Sequence, residues 1–113
     1  MARKIYWKMT NRSTWDKEWK HETTGIRINV SSNITHASGD HTIDWVLELN
    51  TKSKRFIIRD DSRELGESSR DYMTPKDRVI KNRFIDIAKK MMRESNGFTT
   101  IKQFNKLVKK YKY

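Results

Sequence analysis

Residues 42–60 read TIDWVLELNTKSKRFIIRD, and the fold class turns on how they are read. Ile43, Trp45, Leu47 and Leu49 alternate with polar or charged neighbours, the two-residue period of a strand with one buried face. The polar run NTKSK supplies a turn. Phe56 and Ile58 then begin a return strand, with Arg55 and Arg59 on its other side. Period two on both sides of a short polar turn predicts an antiparallel hairpin. Val46 and Ile57 break the alternation, so the pair is expected to be partly covered, or to meet a partner, on its second face.

Towards the N-terminus, RKIYWKM (3–9) alternates as well, with Ile5, Trp7 and Met9 on one face and Lys4, Tyr6 and Lys8 on the other. In STWDKEWKHETTG (13–25), Trp15 and Trp19 are four apart and Ser13 or Thr14 can cap, which predicts one or two helical turns ended by Gly25. GIRINVS alternates through Ile26, Ile28 and Val30, and SSNITHASGDH (31–41) reads as a turn-rich loop.

Towards the C-terminus, residues 60–73 have almost no apolar content and are expected to form a flexible acidic loop. Its carboxylates Asp60, Asp61, Glu64 and Glu67 would repel a polyanion, which suits a rim or gate. Thr74-Pro75 opens a helix, with Asp77 in its first turn and a stripe of Ile80, Phe84, Ile87, Ala88 and Met91. Asn96-Gly97 ends it. Thr100 and Gln103 fit a capping box for a last helix, whose stripe is Ile101, Phe104, Leu107, Val108 and Tyr111. Strands come first and helices after, with no βαβ alternation. The expected fold is α+β, a single domain over 1–113: a small, mostly antiparallel sheet of three to four strands followed by two C-terminal helices packed on one face.

Composition narrows the function classes. The chain has no cysteine, so it forms no disulfide and no thiolate metal site. No stretch approaches the roughly 18 apolar residues of a membrane span, and the first residues lack the apolar run of a signal peptide. A cytoplasmic protein without a cofactor is the expectation. The net charge is +11, and it is segregated. Residues 1–20 hold six basic and two acidic side chains, 21–71 seven and nine, and 72–113 twelve and three. Charge gathered at the two ends makes a directional field, and the near-neutral middle reads as scaffold.

A lysine-rich helix face is by default a solvated one, but the segregation and the scarcity of acidic neighbours argue for polyanion binding. The expected function is therefore a small, non-enzymatic nucleic-acid-binding protein, for DNA or RNA, gripping phosphates with low sequence specificity. Lys89, Lys90, Arg93, Lys102, Lys106, Lys109 and Lys110 would carry it. Lys4 and Lys8 would assist, with Tyr6 between them to stack a base. The helix pair joined by ESNGFTT (94–100) resembles a helix-turn-helix, which implies a last helix entering a major groove. Its outward positions are nearly all Lys, and only Gln103 and Asn105 offer the amide pairing that reads adenine.

Two other readings compete. In the first, a protein-protein interaction module, an inhibitor or accessory factor of the kind small phage-encoded proteins provide, docks its basic helices on an acidic partner. Trp15, Trp19, Tyr111 and Tyr113 would be its anchors. In the second, a ribonuclease uses His21, His36 or His41 with a nearby carboxylate. No Walker loop, H-E-x-x-H or G-x-S-x-G pattern accompanies either.

Overall fold

The hairpin predicted over 42–60 is present, and it forms one edge of a larger sheet. The structure, a computed structural model, describes residues 6–13, 15–37, 40–64 and 75–112, leaving aside the side chains of 34–37, 40, 41, 63 and 64. Its strands are β1 (Trp7–Asn11), β2 (Lys17–His21), β3 (Arg27–Ala37), β4 (Asp40–Asn50) and β5 (Arg55–Glu64), followed by helices α1 (Pro75–Ser95) and α2 (Ile101–Tyr111). The sheet order is β1-β2-β3-β4-β5, and every neighbouring pair is antiparallel. The architecture is α+β, with five strands where three to four were expected.

One reading accounts for the extra strand, and two more for the length of the others. Trp15 and Trp19, expected on helical turns, flank and enter β2. A spacing of four places two residues on one face of a strand as readily as of a helix, so the spacing did not discriminate. SSNITHASGDH, expected as a loop, forms the far halves of β3 and β4, paired from Ser31↔Val46 to Ala37↔Asp40. Asp60–Glu64, expected as the start of the acidic loop, completes β5 against Thr42–Val46. Ladder hydrogen bonds to a neighbouring strand hold these polar stretches extended without an apolar face of their own. The remainder of the expected loop, 65–73, lies outside the described residues, as do Lys4, the cap Thr74 and Tyr113.

One face of the sheet is apolar. Met9, Trp19, Ile28, Leu49 and Phe56 stand directly opposite one another across all five strands, and Val30, Leu47, Trp45 and Ile43 extend the buried surface along β3 and β4. Beyond Leu47 a bulge in β5 shifts the register, so that Arg59 comes opposite Leu47 and Asp61 opposite Trp45, on the side the helices cover.

α1 lies on this face through Ile80, Phe84, Ala88, Met91 and Met92, and two tryptophans pin its ends. Trp45 donates its indole N–H to Asp77 Oδ1 at 3.2 Å in the first turn. Trp7 donates to Ser95 Oγ at 3.1 Å in the last, and that hydroxyl donates in turn to the Met91 carbonyl at 2.7 Å. Asp77 and Ser95 are fully buried, so these bonds satisfy groups that water cannot reach. The pins are about 27 Å apart along the helix.

α2 buries Phe104, Leu107 and Val108 and contacts α1 and β5. Ile101, expected in its buried stripe, is 47% exposed because it occupies the first helical position, before the helix reaches the core. Gln103 Oε1 accepts the Thr99 and Thr100 N–H groups at 2.8 and 3.0 Å, the capping role predicted for it.

Candidate functional site

Helix geometry sets the basic face. With Phe104, Leu107 and Val108 turned inward, Lys102, Lys106 and Lys109 fall on the opposite side of α2 at spacings of four and three, one continuous stripe. All three are exposed. α2 contains no acidic residue to neutralise them. On α1, Lys89, Lys90 and Arg93 are likewise exposed, opposite the buried stripe of Phe84, Ala88 and Met91. These six cations therefore share the side of the molecule that faces away from the sheet.

Lys110 is engaged differently. Its ammonium lies 2.6 Å from Glu94 Oε1 and joins the two helices. The hydrogen bond holds the Lys110 pKa above its ordinary value and the Glu94 pKa below. Lys110 is thus a tether first, and an external phosphate would have to compete with Glu94 for it. A groove of about 460 Å³ opens beside this pair, with Phe98 and Leu107 in its floor and Lys102, Lys106 and Lys110 at its rim.

The structure separates the other sequence-derived candidates from this face. Lys8 is exposed between buried Trp7 and half-buried Met9, hence on the uncovered side of the sheet, opposite Lys20 of β2. Tyr6, expected to stack a base, packs against the core with its ring parallel to His21, at a centroid distance of 6.2 Å. Trp19, expected as an exposed anchor, is 6% exposed. Trp15 is half-buried and stacks on Trp45 at 5.9 Å. Trp19 enters the core from β2, and Trp15, in the bend just before that strand, covers Trp45. Tyr111 is half-buried, and desolvation raises its pKa. Gln103, considered as an adenine reader, spends its carbonyl oxygen on the α2 cap, which leaves exposed Asn105 as the free amide on the helix.

His21 is fully buried among Tyr6, Trp7 and Phe104. Its Nδ1 accepts the Thr24 N–H at 3.3 Å and lies 3.0 Å from Thr24 Oγ1. Burial lowers its pKa below the ordinary 6.5, against smaller opposing effects of the Asn96 and Ser95 backbone and of Glu22. A neutral ring enclosed by aromatic neighbours supports packing rather than proton transfer to a substrate. His36 and His41 stand directly opposite each other in β3 and β4, and their side chains lie outside the described residues. Among the described residues, no group of His, Asp and Glu is placed to hold a metal ion, and no helix is long and apolar enough to cross a membrane. Neither a family model, nor a curated protein, nor a solved structure matches the chain.

Proposed function

We propose that this protein binds nucleic acid through the outer face of α1 and α2, holding phosphates with Lys102, Lys106 and Lys109 and with Lys89, Lys90 and Arg93. The observation that carries the reading is the uninterrupted stripe of three exposed lysines on a helix that has no acidic residue. Point charges on flexible stems suit phosphate oxygens and carry no base code, so affinity is electrostatic and nearly independent of sequence. The groove beside Phe98 gives an unpaired base an apolar recess next to those phosphate contacts, so this face accepts single strands as well as duplexes.

Fluorescence anisotropy with labelled single- and double-stranded DNA and RNA, each over a salt series, tests this. Lys106→Glu with Lys109→Glu is expected to weaken binding to every sequence alike and to reduce the salt slope on duplex DNA by about 1.8, roughly 0.9 for each lost contact. An unchanged affinity and slope in the folded double variant overturns the reading.

A further inference from the structure

The uncovered face of the sheet carries a second concentration of positive charge that the chain order conceals. Lys8 of β1 is opposite Lys20 of β2, Lys20 is opposite Arg27 of β3, Arg27 is opposite Asn50 of β4, and Asn50 is opposite Arg55 of β5. Four of the five residues in this row across the sheet are cations, and all four are exposed. Like charges directly opposite one another destabilise a sheet, so two successive rungs, Lys8 on Lys20 and Lys20 on Arg27, work against folding. The adjoining β4–β5 turn adds exposed Lys52 and Lys54 at the same end.

Two carboxylates stand beside the row. Glu48 is paired with its last cation, Arg55, and Glu18, whose Oε1 accepts the Thr10 hydroxyl at 2.7 Å, lies two residues from Lys20 on the same face of β2; Lys8, Lys20 and Arg27 still outnumber that one remaining carboxylate. Lys8, Lys20 and Arg27 have no ion pair among the described residues. A depression of about 440 Å³ opens within the row, where Lys20, Arg27 and Lys52 outnumber the single carboxylate, Glu18, and the amides of Asn29 and Asn50 complete the lining. Further along the same face stand Asp44 and Asp60, in register with Ser62 and Val46. Charge on this face is therefore positive along the row from Lys8 to Arg27 and turns negative further along the strands.

We propose that the open sheet face is a second polyanion-binding surface, on which the backbone of a nucleic-acid duplex lies across the strands along Lys8, Lys20 and Arg27, with Arg55 at the end of the row shared with Glu48. The row extends over four inter-strand steps of roughly 4.8 Å, about 19 Å in all, a length over which one strand of a duplex presents about six phosphates. Among the described residues the face presents no aromatic ring to stack an unpaired base, and Ile57 and Val46 are its apolar side chains, so a duplex suits it better than a single strand. The acidic end keeps the backbone from lying along the strands. Because the helical face looks the opposite way, one molecule holds two nucleic-acid segments and bridges them.

Energy transfer between two duplexes carrying different dyes reads the bridging, and titration calorimetry reads the stoichiometry. The variant is Lys8→Glu with Arg27→Glu, which leaves Lys20 between two carboxylates and converts repulsive rungs into attractive ones, so the sheet is retained. Wild-type protein is expected to bind two duplexes and bring the dyes together. The variant is expected to bind one, with bridging lost and affinity for the second duplex reduced at least about tenfold. A folded variant that bridges as well as wild type, or a wild-type protein that binds a single duplex through Lys106 and Lys109 alone, overturns the proposal. If reversal of Lys106 and Lys109 changes nothing while reversal of Lys8 and Arg27 abolishes binding, the helical reading falls and the sheet surface stands as the sole site.

Discussion

The two basic faces of this molecule are built by opposite routes. The helical face draws Lys102, Lys106 and Lys109 from one short segment, where a period of 3.6 residues brings neighbours in sequence onto one stripe. The sheet face draws Lys8, Lys20, Arg27 and Arg55 from four strands and leaves each of them one position away from a core residue. Met9, Trp19, Ile28, Leu49 and Phe56 form the row just beneath. Shifting any strand by one residue would exchange a cation with a core side chain, so the same hydrophobic pattern that fixes the register also assembles the charges. A helix stripe is local and robust, whereas a sheet row exists only as long as every register holds.

The largest way to break the contrast is to release the helix layer from the sheet. Trp45→Ala removes a fully buried ring, the stacking partner of Trp15 and the donor to Asp77, and should cost about 3–5 kcal/mol in urea denaturation. Loss of both faces at one midpoint is the expected outcome.

Acid should part the two faces more gently. His21 has a folded-state pKa below 6.5, so the unfolded chain binds the proton more readily. Stability is whole above that value and declines as pH falls through it towards the folded pKa, by at most about 1.4 kcal/mol per pH unit for one proton. Because His21 packs on Phe104, amide protection factors at pH 5.5 should fall in α2 before the β3–β4 hairpin, and His21→Gln should flatten the dependence. An acid response that His21→Gln leaves intact would assign it elsewhere.

The smallest test sharpens the comparison by sign. Lys20→Thr relieves two like-charge rungs at a strand position and should stabilise the protein by a few tenths to about 1 kcal/mol. Lys106→Thr, at an exposed helix position, should destabilise it by about 0.5 kcal/mol, since a β-branched residue is the poorer helix former. Equal shifts of the chemical denaturation midpoint would mean that the sheet row carries no electrostatic strain.

The helical face was legible in the sequence because its evidence is local. Thr100, Gln103, Phe104, Leu107 and Val108 mark the helix start and its buried side, and the lysines follow by periodicity. The tie of Lys110 to Glu94 is not legible there, since the partner belongs to another helix. Lys20 was missed because the Trp15–Trp19 spacing suits both helix and strand. Arg27 and Arg55 were missed for a different reason: they sit in the segment 21–71, where acidic residues outnumber basic ones, and averaging along the chain hides what register collects.

The sequence by itself determined that strands precede helices, that 42–60 is a hairpin with Trp45 inward, and that α2 has a lysine face. Each of these follows from side-chain period within one element. Only the tertiary structure decided that the polar stretches 31–41 and 60–64 are strands, that Trp7 and Trp45 pin the two ends of α1, and that Lys8, Lys20, Arg27 and Arg55 stand in one row. Those features depend on which residues meet across a ladder or a helix–sheet contact, and a strand's own period of two says nothing about the register of its neighbours.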